Sequence, residues 1–178
     1  MLPKNLDQVK DNISYRMYGF VPYNISSIQK GIQFGHGVVE YSQKYFESEE
    51  YQEWANNHKT FIILNGGTSN TMIENMNMLL ENNISLSFFK EPDLNNMVSA
   101  VVFLVDSRVY DTKTYPSYYE YFLSKELPNP VINTNEDIKY FTEHHKNISS
   151  HTYIEWVTLM GGKENVFLRE FLINFKLA

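Results

Sequence analysis

The sequence predicts an α/β fold: a mixed, mostly parallel four-stranded sheet covered by helices, followed by a helical C-terminal extension. Three observations lead there. Short β-branched and aromatic runs alternate with amphipathic helical stretches as far as Asp106, in the order β-α-β-α-β-β, which implies parallel pairs joined by helical crossovers. The run at residues 60–64 (TFIIL) is continuously apolar and closes on Asn65-Gly66-Gly67, the pattern of a strand buried on both faces. Beyond Asp106 the strand signals give way to helical ones.

Residues 13–22 (ISYRMYGFVP) end at a Gly/Pro/Asn cluster and read as the first strand. Asn24 to Ser27 offer helix caps, and Ile28, Ile32, Gly35, Val39 and Phe46 share one helical face, so a helix is expected over 27–45. Thr71 and Glu74 have capping-box spacing, and Met72, Met76, Leu79 and Leu80 form a stripe, giving a helix over 71–82. Residues 85–90 (SLSFFK) and 99–105 (SAVVFLV) read as the third and fourth strands. Residues 115–125 look helical after Pro116, and Pro128-Asn129-Pro130 forces an extended linker. Helices are expected over 136–147, 151–160 and 163–176, the middle one ended by Gly161-Gly162. Phe167, Phe171 and Phe175, at spacing four, give the last helix an apolar stripe suited to docking on the sheet. The expected organisation is a short lead (1–12), an α/β domain (13–110) and a helical extension (111–178) packed on it.

Hydrophobic residues make up 43% of the 178, and charged residues 20%, enough apolar material to overcome chain entropy. The chain has no cysteine, which excludes thiolate metal ligands, disulfides and a Cys nucleophile and suits a reducing compartment. Residues 1–12 lack the apolar run of a secretory signal and no stretch is long and apolar enough to cross a bilayer, so the expectation is a cytoplasmic protein without a membrane partner. The abundance of Asn, Ile and Tyr suits an AT-rich genome such as that of a phage or bacterium, whose host cytoplasm would then be the location. The net charge is −6 and the basic residues are spread along the chain instead of forming a nucleic-acid footprint.

The segment from Gln29 to Gly37 (QKGIQFGHG) places three glycines inside the expected helix, each costing about 1 kcal/mol relative to Ala. Gly31 and Gly35 clear a flat strip along which another backbone or a ligand can approach, with His36 beside it. The competing reading is tight helix-to-sheet packing with an ordinary His alongside. Other signals are weaker. Asn65 to Asn70 (NGGTSN) leads into a helix N-terminus but lacks the Lys and spacing of a P-loop, so it reads as a turn with caps. His144, His145 and His151 have no convergent carboxylate spacing, and no metal site is expected. Trp54, Trp156 and the tyrosines Tyr115, Tyr118, Tyr119 and Tyr121 are explained by packing as readily as by stacking on bases.

Gln33, Gly35 and His36, in the form Gln-x-Gly-His on the first helix after the first strand, resemble the second (archaeal and eukaryotic) class of peptidyl-tRNA hydrolases. In that class the helix reads Lys-Gly-Lys, then Ala-Gln, then His-Ala. The resemblance spans about 13–106 and includes a Lys-bearing lead into the second strand (His58-Lys59-Thr60) and a third strand ending in an acidic residue. It implies that fold and a metal-independent, cofactor-free hydrolysis of an acyl ester on tRNA or a related acyl-nucleotide; a homodimer is a further expectation. Carried over by position, His36 is the helix His and acts as general acid/base or orients water. Glu91 falls at the Asp column and sets the tautomer of His36 or takes a proton, with Asp93 as the reserve carboxylate. Asn95 or Ser99 falls near the family's Thr. The motif Lys column holds Gln29, and Lys30, one residue later, is the cation that would neutralise a phosphate or oxyanion. Gln33, Gly35, Asp93 and Ser99 are the expected substrate-binding positions. The alternative is a non-catalytic binding or regulatory module on the same fold.

Overall fold

The computed structural model describes residues 13–126 and 150–178. Its first strand, β1 (Tyr15–Val21), turns Met17 and Val21 to one face of the sheet and Tyr18 and Phe20 to the other, as a period of two requires. Helix α1 (Ser27–Tyr45) has the bounds the sequence predicts. It opens on a capping box in which Ser26 Oγ accepts from the Gln29 amide (3.3 Å) and Gln29 Oε1 accepts from the Ser26 amide (3.2 Å). A short helix, α2 (Glu49–Glu53), capped by Ser48, runs into a π-helical turn at Trp54–His58 that Lys59 closes in a left-handed conformation. Strand β2 (Thr60–Asn65) follows. Helix α3 (Ser69–Glu81) starts earlier than expected because Thr68, not Thr71, is its cap, with Thr68 Oγ1 accepting from the Thr71 amide. Then come β3 (Leu86–Glu91), a 3₁₀ turn (Pro92–Leu94), β4 (Met97–Asp106) and α4 (Ser107–Tyr110). The C-terminal part supplies α5 (Tyr118–Glu126), α6 (Ser150–Leu159) and α7 (Lys163–Leu172).

The four strands form one mixed sheet in the order β2-β1-β4-β3, but the sheet is not mostly parallel. Only β1 and β2 pair in parallel; β4 is antiparallel to both β1 and β3. The reason lies in the connections. Between β1 and β2 run α1 and α2, a crossover long enough for parallel pairing. Between β3 and β4 lie only the 3₁₀ turn and two left-handed residues, Asn95 and Asn96, which reverse the chain and leave antiparallel pairing as the sole geometry. The reading of residues 60–64 as buried on both faces also fails. β2 is an edge strand in which only Leu64 is buried. Its outer edge is partly covered near the C-terminus, where Asn65 donates to Lys176 O (2.9 Å) and the Ala178 amide to Ile63 O (3.0 Å).

Three layers result. Phe34 and Tyr41 of α1 pack with Met17, Val21, Trp54 and Val102 on one face of the sheet. On the other, Met72 and Leu79 of α3 and Leu168 and Phe171 of α7 join Tyr18, Phe20, Val101, Phe103 and Val105. The expected Phe stripe therefore does dock on the sheet, with Phe175 4.6 Å and Phe171 6.0 Å from the Phe20 ring, centroid to centroid. A smaller cluster of Tyr115, Tyr121, Trp156, Met160 and Val166 ties α5 and α6 to the start of α7. Gly161 ends α6 at φ +83°, and a Cβ there would overlap the Arg108 guanidinium, so both backbone and packing demand glycine. The linker expected at 128–130, the helix expected at 136–147, and His144 and His145 lie outside the described residues. Among the described residues no helix is long and apolar enough to cross a membrane.

Burial holds the phenols of Tyr15, Tyr18, Tyr41, Tyr115 and Tyr121 protonated above their ordinary range. A group whose folded pKa is raised contributes stability in full below its unfolded value, and that contribution is lost as pH rises above it. Thermal unfolding should accordingly show little change between pH 7 and 9 and a falling midpoint above about pH 10, where tyrosine ionises in the unfolded chain.

Candidate functional site

Helix α1 crosses the sheet with one row of side chains turned toward it: Lys30, Gln33, Phe34, Gly37 and Tyr41 all lie at helical spacings of three or four. Gly37 is the glycine that this crossing needs. A Cβ there would meet Val102 Cγ1 at 2.9 Å and the Ala100 Cβ at 3.0 Å. Gly31 and Gly35 face open space, with nothing within 4 Å of where a Cβ would stand, so tight packing does not account for them. The stripe of Ile28, Ile32, Gly35, Val39 and Phe46, expected as the helix's apolar face, is turned to solvent. Gly31→Ala should therefore stabilise the fold by about 0.5–1 kcal/mol through helix propensity. Gly37→Ala should cost about 1–3 kcal/mol through overpacking. Chemical unfolding of the two variants checks both signs.

Opposite Gln33 the β3–β4 ladder is irregular. Phe89 pairs with Ala100 and Lys90 with Val98, so Ser99 is an extra residue on β4, a bulge that re-aims its side chain. The Ser99 hydroxyl donates to Gln33 Oε1 (2.6 Å) and lies 3.5 Å from Phe89 O. Gln33 Nε2 donates in turn to Glu91 Oε2 at 2.6 Å. One continuous chain thus runs from a buried serine through a half-buried amide to a half-buried carboxylate. A carboxylate acceptor makes the second bond the stronger, and each link polarises the next.

His36, one turn on and exposed, lays its ring on Phe89, with centroids 4.5 Å apart and planes 20° from parallel. The imidazole is open to solvent on the side away from Phe89 and hydrogen-bonds to neither Glu91 nor Asp93. The expected His36–Glu91 hydrogen bond is therefore absent among the described residues; Glu91 Oε2 is instead held by Gln33, and the His36 ring lies on Phe89. Lys30 is half-buried one turn before Gln33 and forms no ion pair among the described residues. Gln29, in the family's Lys column, is spent on the helix cap. Asp93 and Asn95 are exposed in the turn after β3, Asn95 at φ +54°, and neither bonds to the Gln33 chain.

The structure thus gathers Gln33, Glu91, Ser99 and His36 around the C-terminal end of β3, with Lys30 and Gly35 on the adjoining helix and Asp93 and Asn95 on the neighbouring turn. Phe89, the platform for His36, is not among the residues the sequence singles out; its signal is the two-residue offset from Glu91 on one strand. Among the described residues no group of His, Asp or Glu is arranged to hold a metal ion, and His151 pairs instead with Glu155 at 3.2 Å. Asn65 to Thr68 form the expected turn, with Asn65 Oδ1 accepting from the Gly67 amide at 3.0 Å.

No family model matches the chain, and no curated protein matches it.

Proposed function

We propose that the chain is a peptidyl-tRNA hydrolase-like protein that hydrolyses an acyl ester carried on tRNA or a related acyl-nucleotide, at the end of the sheet where α1 meets the β3–β4 turn. The observation that supports this most is the Ser99–Gln33–Glu91 chain beside the exposed imidazole of His36. In this reading water attacks the ester carbonyl and the bond to the ribose oxygen breaks; the ribose oxygen takes one proton of the water, Glu91 takes the other and passes it to solvent, and the acyl group leaves as a carboxylate. His36, its ring laid against Phe89, moves the proton to the ribose oxygen, a task for which an imidazole has both a donor and an acceptor nitrogen. Gln33 and Ser99 hold Glu91 in place. Lys30 offsets charge on a phosphate or on the carbonyl oxygen, Asn95 hydrogen-bonds the substrate, and the strip cleared by Gly31 and Gly35 admits the acyl group.

Charge favours recognition of the acylated 3′ end over the body of the tRNA. Of the six basic residues between Ile13 and Tyr110, Arg16, Lys44, Lys59 and Arg108 lie toward the opposite end of the sheet, leaving Lys30 and Lys90 near the site. Phosphate contacts should be correspondingly few. The test is release of a labelled acyl group from N-acetyl-aminoacyl-tRNA. The wild type should release it, and His36→Ala should lose about 10²-fold or more; equal rates would remove the catalytic reading.

A second reading, a non-catalytic binding module, draws support from the outward face of α1. Ile28, Ile32, Val39 and Phe46 are exposed there with no charged residue among them, a surface suited to a second copy of the chain. A dimer in sedimentation that Ile32→Glu dissociates, together with no acyl release by the wild type, would favour it.

A further inference from the structure

At the end of the sheet opposite Glu91, the start of β1, the last residue of β4 and the start of β3 meet the C-terminal half of α1 and the first turn of α7. Between them opens a cavity of about 250 Å³. Its aromatic surface comes from Tyr15, Tyr41 and Tyr45, with the Tyr41 and Tyr45 rings 4.5 Å apart. Glu50 and Glu164 stand exposed among its lining, and neither forms an ion pair among the described residues.

The charge in this lining is one-sided. Three carboxylates, Glu50, Asp106 and Glu164, face one cation, Arg108. That guanidinium is already committed to Asp106, through Nη2 to Oδ2 at 2.6 Å and Nε to both oxygens. Asn165 Nδ2 completes the buried carboxylate at 2.7 Å, so the Arg108–Asp106 pair is internally neutral and Glu50 and Glu164 remain uncompensated. The rings carry the same sign of field: carboxylate charge from Asp106 and Glu50 adds to burial in keeping the Tyr15 phenol protonated. Nearby, Lys44 holds its ammonium 4.9 Å from the Tyr45 ring centroid while donating to Leu86 O, which shows this aromatic surface accepting a cation from within the chain. An anion meets repulsion here, and a neutral ligand gains no attraction from the two carboxylates.

We propose that this cavity binds a primary alkylammonium group on an apolar stem, the stem against the tyrosine rings and the ammonium between Glu50 and Glu164. Two sources share that chemistry, a free alkyl diamine and the lysine side chain of another protein. The site is separate from the His36 end of the sheet, and its occupation does not depend on whether that end is catalytic.

Calorimetric titration of the full chain tests it with cadaverine, Nα-acetyl-lysine amide, and the neutral and anionic controls 1,5-pentanediol and glutarate. At low salt, one or both ammonium compounds should bind with Kd below about 1 mM while the controls do not; the tighter of the two identifies the source. Glu50→Gln combined with Glu164→Gln should weaken binding about tenfold or more. Both positions are exposed, so the melting temperature should be little changed, and His36→Ala should leave the affinity intact. Binding of neither ammonium compound, binding of the diol as tight as that of cadaverine, or an unchanged affinity in the double variant would overturn the proposal.

Discussion

Phe20→Ala should destabilise the fold by about 3–5 kcal/mol, the range for truncating a fully buried aromatic. Phe20 has no exposed surface and joins three partners that are distant in sequence: Phe103 on the neighbouring strand at 5.7 Å, and Phe171 and Phe175 at the C-terminal end of the chain. The alanine leaves a cavity that these rings cannot all collapse into, because the sheet fixes one side and α7 the other. For a chain of this size the loss corresponds to a melting temperature lower by roughly 6–20 °C. Ile28→Ala, on the exposed stripe of α1, should stay within about 0.5 kcal/mol and serves as the control. Urea unfolding of both decides the matter. A Phe20→Ala loss below about 1 kcal/mol would mean that the C-terminal helix does not share the core of the sheet.

Gln33→Leu should slow acyl release by about 10–100-fold while leaving most of the stability in place. The amide is the only link between Ser99 and Glu91 among the described contacts, and without it the carboxylate is free to swing on its two methylenes. An apolar replacement strands the buried Ser99 hydroxyl, whose remaining contact is the long approach to Phe89 O, so a cost of about 1–3 kcal/mol is expected as well. Gln33→Glu is the diagnostic companion. It places a second carboxylate against Glu91 and should be more damaging to activity than Leu, through like-charge repulsion. If both variants release acyl groups at the wild-type rate, the chain of hydrogen bonds positions nothing that matters to the reaction.

Local signals make the bounds of α1 legible, because its cap residues and helical spacing are short-range features. Its orientation is not legible. Ile28, Ile32, Val39 and Phe46 recur at helical spacing and suggest an inward face, yet the sheet takes the row of Phe34, Gly37 and Tyr41, where the missing Cβ of Gly37 lets the helix approach β4. Strand direction likewise depends on β4 inserting between β1 and β3, a long-range event with no local trace. The turn at Asn95-Asn96 is the one hint of reversal. Helix α2 has little sequence signal, because Ser48 caps a segment with few apolar positions. In the candidate site, Gln33, Glu91 and Ser99 each follow from the resemblance to the hydrolase motif. Their connection is hidden, since it requires the bulge that turns Ser99 toward α1, and a bulge is set by pairing register and not by composition.

The most direct measurement is single-turnover hydrolysis of an acylated 3′-terminal adenosine, a substrate with no tRNA body, by the wild type and by Glu91→Ala. The proposed site predicts release well above the rate in buffer for the wild type and a loss of about 10²-fold or more in the variant. A wild-type rate equal to that in buffer, or equal rates in the two proteins, would contradict it.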